Sequence, residues 1–224
     1  RWGFGRLQHA VWSITSDSLL KLCGVIYVST LLVSCVMGLH AGYIPRRHRR
    51  FWFISDMWTD IPGNWLSRWA VMQGCHAGWV AHLAMLADSR TKLRRTGLVV
   101  AIVSLVGLSI VGCCDESENF PLHITGALVF FYGYDVWTVC AVVDDARWDM
   151  RTACAVVCWL CAPIHMRHII HVPSSILDAL AVAEWANALA IIGFMLLDGL
   201  AAHPSALAVG VVRAVPDGFA KPFL

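Results

Sequence analysis

The amino-acid sequence predicts an all-α fold, a polytopic membrane bundle of six transmembrane helices with both termini on the inner, cytosolic side. Hydrophobic residues make up 58% of the 224 residues, charged residues make up only 14%, and the mean hydropathy is +0.64. Soluble domains usually carry about 25% charged residues, so a single soluble domain of this composition is excluded. Apolar runs of about 20 residues recur along the chain, which is the length of a membrane-crossing helix. Eleven tryptophans suit a protein with aromatic belts at the two membrane interfaces.

Each span is delimited by polar or turn-forming residues. The predicted spans are 18–40, 65–86, 97–114, 123–143, 152–170 and 176–202. The second is the least apolar, and the third is rich in the glycine and serine that allow helices to pack closely in lipid. The domain organisation is therefore an N-terminal arm, residues 1–17, a six-helix transmembrane domain, residues 18–202, and an irregular C-terminal tail, residues 203–224.

The orientation follows from the distribution of Lys and Arg, which favours the cytosolic side. With both termini inside, the inner segments hold eleven basic residues: Arg1, Arg6, Lys21, Arg90, Lys92, Arg94, Arg95, Arg147, Arg151, Arg213 and Lys221. The outer loops hold five: Arg46, Arg47, Arg49, Arg50 and Arg167. The net charge of +2, without a basic stripe, indicates no nucleic-acid partner.

This orientation gathers titratable residues at the outer face and predicts a polar vestibule there. The histidines at that face are His40, His123, His165, His168 and His171. The acidic residues there are Asp56, Asp60, Asp115, Glu116, Glu118 and Asp178. Asp135 lies deeper, within the fourth span, and is expected to be paired or close to the inner interface.

Glu184 lies about eight residues into the last span, and Asn187 follows on the same helix face. A carboxylate at that depth costs about 2.5 kcal/mol or more, so it should face the bundle interior with a partner. We expect Glu184 to pair with Arg68, His76 or His123. The arrangement is either a structural clamp between helices two, four and six or a polar site for a lipid headgroup or a proton. The predicted vestibule residues are Asp56, Arg68, His76, His123, Glu184 and Asn187.

Cofactor and catalytic motifs are weak in this sequence. Cys154, Cys158, Cys161 and His165 form one stripe of the fifth span. A single straight helix cannot surround an ion tetrahedrally, so packing of small residues is the better account, and no metal site is predicted. A bis-histidine haem would need histidine pairs at matching depth on different helices. His40, His123 and His165 could supply one outer pair, but the inner half offers only His82 within a span, so we expect no cofactor beyond a bound phospholipid. No GxSxG, HExxH or P-loop motif is present, so no catalytic residue is assigned.

Several short motifs, taken together and in order, carry a resemblance to a known family. They are Ile54-Ser55-Asp56 followed by Pro62, Asn119-Phe120 before His123, the aromatic-glycine run Phe130 to Tyr134, and Ala183-Glu184-Trp185. In these the chain resembles the DRAM/Frag/Sfk superfamily of six-span membrane proteins. That group includes damage-regulated autophagy modulators and proteins that remodel the lipid of GPI anchors.

The resemblance covers about residues 18–202. It implies six helices with both termini cytosolic, and it carries over Asp56, His123 and Glu184 as signature residues. The chain departs from the family pattern in its arginine-rich first loop and in Gly63, which stands where a glutamate is expected after Pro62.

Three functions are compatible with these features. The leading hypothesis is a non-enzymatic, DRAM-like membrane protein that binds or organises lipids through the outward-facing vestibule. The alternative is an accessory structural subunit of a larger organelle membrane complex, for example a mitochondrial respiratory complex, with other membrane subunits as partners. The third is a component of a lipid-remodelling enzyme, with His123 or Glu184 as general base. The expected location is an organelle membrane or endomembrane, the mitochondrial inner membrane among them.

Overall fold

The computed structural model describes residues 14–41, 51–59, 61–146, 148–168, 173–201 and 206–207. The helices are α1 (Ser16–Ala41), α2 (Gly63–Asp88), α3 (Lys92–Cys113), α4 (Phe120–Asp145), α5 (Met150–Cys161) and α6 (Leu177–Leu200). Short 3-10 helices cover Ser55–Trp58, Ala162–His168 and Ser174–Ile176. Two two-residue strands, β1 (Ile14–Thr15) and β2 (Ala206–Leu207), pair antiparallel beside the start of α1.

Side-chain caps fix where three of the helices begin. Thr91 accepts a hydrogen bond from the Arg94 amide, Asn119 from the Leu122 amide, and Asp149 from the Arg151 amide. Each cap satisfies a backbone N–H that has no partner within the first turn. These caps extend α3 and α4 beyond the purely apolar runs from which the spans at 97–114 and 123–143 are predicted.

The six helices form a closed ring in sequence order. Each helix packs against the next one, and α6 returns to pack against α1. Consecutive helices are antiparallel, which gives the bundle two ends. The loop end is where α1, α3 and α5 finish and α2, α4 and α6 begin. The terminal end is the opposite one, where the β1–β2 pair lies.

The closest helix contact is between α3 and α4. A Cβ added at Gly107 would lie 2.6 Å from the Gly126 carbonyl oxygen, and one added at Gly126 would lie 2.7 Å from the Gly107 carbonyl oxygen. The two backbones therefore touch where neither helix carries a side chain. Packing of small residues is the expected basis of helix association in lipid, and it was predicted for this segment.

Four helices are long and apolar enough to cross a membrane by length and composition alone. They are Ser16–His40, Lys92–Cys113, Phe120–Asp145 and Leu177–Leu200. Met150–His165 forms a shorter apolar segment. The all-helical, multi-pass class is thus confirmed, whereas six spans and the side on which the termini lie stay predictions.

Two local features explain why α2 and α5 are not among the four helices that are long and apolar enough to cross a membrane. α2 carries arginine, glutamine and two histidines among its apolar residues, which lowers its hydropathy. In the fifth segment the α-helix ends at Cys161 and the chain continues as a 3-10 helix through Pro163. Proline removes a backbone donor and disfavours the α conformation of the residue before it.

Candidate functional site

A partly enclosed cavity of about 70 Å³ lies at the loop end, inside the ring of helices. Its wall is mostly aliphatic and aromatic, with contributions from Leu31, Val71, Leu108, Phe130 and Ile191 on five different helices. The 3-10 helix at Ser55–Trp58 and the residue before it, Ile54, also contribute to the wall. A volume of this size accommodates several water molecules or a short segment of a larger ligand.

Among the side chains that line the cavity, His123, His165 and Glu184 carry imidazole or carboxyl groups, and three others carry hydroxyl groups: Tyr27, Thr30 and Ser55. His123 is 4% exposed, His165 is 3% exposed and Glu184 is 5% exposed. The Nδ1 atom of His123 lies 2.7 Å from the carbonyl oxygen of Cys114. That carbonyl is an acceptor, so Nδ1 carries the hydrogen of this bond. The sequence predicted His123 and Glu184 as site residues, and the fold brings both to one cavity.

His165 is a cavity residue that was predicted only as part of the outer histidine set. Its ring stacks on Phe131 with 4.0 Å between ring centroids, and its Nε2 atom lies 3.1 Å from Nδ2 of Asn187. Asn187 is fully buried and connects to the cavity through this contact. The available signal was the stripe of small residues that ends at His165, because that stripe marks the interior face of the fifth segment. Cys158 of the same stripe is fully buried.

Arg68 lies outside this cavity, in a separate open pocket at the loop end. Its Nη2 atom is 2.6 Å from Glu118 Oε2 and 3.3 Å from Asp115 Oδ2. Asn64 donates a second hydrogen bond to Asp115, at 2.6 Å. Arg68 on α2 thus forms its ion pairs with two carboxylates of the loop between α3 and α4. Both carboxylates belong to the acidic cluster expected at this face.

The loop between α3 and α4 is held by its own acidic side chains. The Arg68 hydrogen bond and charge lower the pKa of Glu118. Partial burial acts to raise the pKa of Asp115, but hydrogen bonds from Ser117 and from the Glu118 amide, together with Arg68, outweigh it. The net pKa of Asp115 is therefore lowered, and both carboxylates are ionised at neutral pH.

The other two predicted site residues lie apart from the cavity. Asp56 is buried in the 3-10 helix at Ser55–Trp58 and accepts a hydrogen bond from the Phe53 amide at 3.0 Å, which holds the chain just before that helix. His76 is exposed at the middle of α2 and meets Trp79 edge-on, with 5.9 Å between ring centroids. Asp56 shapes the cavity wall, whereas His76 faces away from the bundle.

A second polar cluster lies at the terminal end. Arg151 forms ion pairs with Asp145 at 2.7 Å, with Asp149 at 3.0 Å and with Asp198 at 3.0 Å. Arg94 reaches the other oxygen of Asp198 at 2.9 Å. The cluster links α3, α4, α5 and α6, and Asp198 was not anticipated. Its one signal in the sequence is an aspartate inside the last apolar run.

No group of three or more His, Cys, Asp and Glu side chains in the described ranges is arranged to hold a metal ion. All nine cysteines are free thiols, including the adjacent pair Cys113 and Cys114. Three of the nine are buried and pack as small apolar residues. At the loop end, the imidazole and carboxyl groups of the cavity can form hydrogen bonds and exchange protons.

Residues 18–197 match the sequence profile of the family described as the Frag1/DRAM/Sfk1/Cwh43P N-terminal domain. The matched range covers α2 to α5 completely and most of α1 and α6. No curated protein sequence and no solved structure is significantly similar to this chain.

Proposed function

The chain belongs to the Frag1/DRAM/Sfk1/Cwh43P family of membrane proteins, and from this premise we propose that it binds a phospholipid without catalysing a reaction. The observation that carries the proposal is the loop-end cavity, in which His123, His165 and Glu184 contribute imidazole and carboxyl groups to a mostly apolar wall. An amphiphile meets both requirements, because its headgroup offers hydrogen-bond partners and its chains offer apolar surface. The cavity is small, so it takes the part of the lipid that joins headgroup to chains.

Six membrane spans with both termini on the inner side complete the proposal. α2 has 26 residues, and at 1.5 Å per residue it is about 39 Å long. α5 and the following 3-10 helix together extend about 32 Å. Both lengths exceed the hydrocarbon thickness of about 30 Å. The excess of Lys and Arg in the segments at the terminal end supports an inner location for that end, in an organelle membrane or endomembrane.

Lipid retention tests the cavity directly. We expect Glu184→Gln and His123→Ala to reduce the lipid retained per protein, measured by native mass spectrometry after gentle extraction, roughly tenfold or more. Loss of one hydrogen bond to a charged group costs about 1.5–3 kcal/mol, and 1.4 kcal/mol is a factor of ten in affinity.

The matched controls are Glu118→Gln and His76→Ala, which change the same residue types outside the cavity. Both should retain lipid as the unaltered chain does. Equal retention in all four variants, with unchanged thermal unfolding, would contradict lipid binding in this cavity.

One surface favours a second function, that of an accessory subunit in a larger membrane assembly. Trp65, Trp69, Gln73, His76 and Val80 lie three or four residues apart on one exposed face of α2. Trp65 and Trp69 are 65% and 67% exposed. Glutamine and histidine near the middle of a span are costly against lipid, so this face suits contact with a helix of another subunit.

The same mass measurement separates the two functions. A small species that carries a defined lipid supports lipid binding, whereas recovery only in a large assembly of fixed stoichiometry supports the subunit role. In the second case, Gln73→Leu together with His76→Leu should release the chain from the assembly, and the cavity variants should leave it bound.

A further inference from the structure

Asp135 is a carboxyl group at the middle of α4 that the proposed lipid site does not use. It lies 15 residues after Phe120, about 22 Å into a helix about 39 Å long. Its side chain is 1% exposed. Within the described part of the chain, neither carboxylate oxygen accepts a hydrogen bond of normal geometry, and no ion pair reaches it. An ionised carboxylate in such surroundings carries a large desolvation cost, so the interior favours the neutral acid.

The groups around Asp135 do not supply a compensating positive charge. Arg94 on α3 and Arg151 on α5 both pair with Asp198 at the terminal end. The polar and titratable groups near Asp135 are Tyr132 on α4 itself, Cys158 and Cys161 on α5, and Asn187 on α6. On α3, the Ser104 side chain approaches this part of α4, where its hydroxyl group lies against Gly133. Ser104 donates to the Val100 carbonyl oxygen at 2.7 Å.

The hydrogen bonds of Asn187 are incomplete in a way that matches a protonated Asp135. The Asn187 amide nitrogen lies 3.1 Å from His165 Nε2, so that ring nitrogen is the acceptor. The Asn187 Oδ1 atom is buried and receives no donor from the described residues. Asp135 lies beside this amide. A protonated Asp135 has the O–H donor that Oδ1 lacks, and an ionised Asp135 has none.

We propose that Asp135 binds an exchangeable proton and that the Asn187 amide transmits its protonation state to His165 in the cavity wall. With the proton present, Asp135 donates to Oδ1 of Asn187, and Nδ2 donates to Nε2 of His165. When Asp135 loses the proton to solvent, the amide turns over. Its Nδ2 then donates to the carboxylate, and Oδ1 accepts from Nε2–H of His165.

The proton count of this exchange is one. His165 stays neutral and its ring hydrogen moves from Nδ1 to Nε2, while a single proton leaves Asp135 for solvent. The exchange therefore changes which nitrogen of a cavity-lining imidazole can donate a hydrogen bond. A proton held at mid-depth on α4 thereby sets the hydrogen-bonding character of the cavity wall at His165.

Infrared difference spectroscopy between two pH values, on protein in phosphatidylcholine nanodiscs, tests the proton site. We expect a carboxylic-acid carbonyl band at neutral pH that disappears in Asp135→Asn and remains in Asp198→Asn, a matched buried aspartate that is ion-paired. Persistence of the full carbonyl band in Asp135→Asn overturns the proposal. Asp135→Glu serves if the asparagine variant does not fold, since it must shift the band in frequency.

Nitrogen NMR of the histidine rings tests the connection to His165, whose signals are assigned by their loss in His165→Gln. In the unaltered chain the two ring-nitrogen signals should exchange character as the carbonyl band titrates. Asn187→Leu, which removes both polar atoms of the amide, should abolish this dependence and keep the Asp135 band. The same dependence in Asn187→Leu overturns the relay. Neither arm measures lipid, so its failure is distinct from a failure of the proposed function.

Discussion

At the residue scale, Arg68 and Glu184 show that charged residues at similar positions in two predicted spans can lie in different surroundings in the fold. Both lie within predicted spans near the loop end, and Arg68 was one of the three partners expected for Glu184. Arg68 is half-buried and reaches outward to Glu118 and Asp115 in the loop. Glu184 is buried and faces the cavity. A long arginine side chain extends its charge toward the interface, whereas a glutamate of the same depth cannot.

The pH dependence of the loop between α3 and α4 follows from these contacts. The folded-state pKa values of Asp115 and Glu118 are lowered, so their stabilisation is fully present above the pKa of the unfolded chain, about 4. It is lost as the pH falls through the lower folded-state values. We expect hydrogen exchange of the amides at 115–119 to accelerate, relative to its intrinsic rate, below about pH 4.

The control is Asp115→Asn, which removes the ionisable acceptor of the Ser117 and Asn64 hydrogen bonds. This variant should exchange faster at neutral pH and respond less to acid. An unaltered chain whose loop amides keep the same protection down to the lowest pH tested would refute the assignment.

At the element scale, the contact of α3 with α4 sets the shape of the ring on the side opposite α1 and α6. Two glycines bring the backbones together, and Gly133 meets Ser104 farther along the same contact. The Ser104 hydroxyl is satisfied within α3, because it donates a hydrogen bond to the Val100 carbonyl oxygen of the same helix. Close backbone approach replaces the burial of large side chains, which gains little when the surrounding solvent is also apolar.

A matched pair of Gly→Ala substitutions tests this contact. We expect Gly107→Ala to destabilise the bundle by about 1–3 kcal/mol, because the new Cβ meets the α4 backbone and forces the helices apart. Thermal unfolding in detergent measures the effect.

Gly193→Ala is the control, since its Cβ would lie an ordinary 3.4 Å from Cys154 Sγ. Alanine has the higher helix propensity, by about 1 kcal/mol, so Gly193→Ala should be neutral or stabilising. Equal responses of the two variants would show that α3 and α4 are not in tight contact.

At the scale of the whole molecule, the ring has two ends of different character. The loop end holds the cavity and the acidic loop, and the terminal end is closed by the Arg151 and Asp198 ion pairs. Removing one partner of a buried ion pair leaves an uncompensated charge, so this cluster ties four helices together at that end. Whether the two ends face opposite sides of a membrane depends on α2 and α5, the least apolar and the shortest of the six helices.

Labelling of single cysteines from either side of sealed vesicles decides whether α2 and α5 cross. In a Cys113→Ser background, Ile61→Cys and Ser175→Cys should react with an impermeant maleimide from one side. Arg90→Cys and Trp148→Cys should react from the other side. All four residues are exposed at the ends of the bundle, so access does not depend on packing. In permeabilised vesicles, all four should react.

Labelling of Ile61→Cys and Arg90→Cys from the same side would show that α2 does not cross. The same outcome for Trp148→Cys and Ser175→Cys would show that α5 does not cross.

The sequence by itself determined the class of the protein, the place of every helix within about five residues except the end of α5, and the family resemblance that the profile match confirms. These properties depend on local features: the length of an apolar run, a capping residue such as Asn119, and the order of short motifs. It also singled out His123 and Glu184, which the fold places at one cavity, because polar residues inside apolar runs are conspicuous whichever helices are neighbours.

Only the tertiary structure decided which polar residues meet. The contacts of Arg68 with Glu118, of His165 with Asn187, and of Arg151 with Asp198 join residues from 22 to 50 positions apart. Their pairing depends on how each helix is rotated about its axis and which helices are neighbours in the ring. Hydrophobic periodicity is too uniform in a lipid-exposed helix to reveal that rotation, since the outward face is as apolar as the inward one.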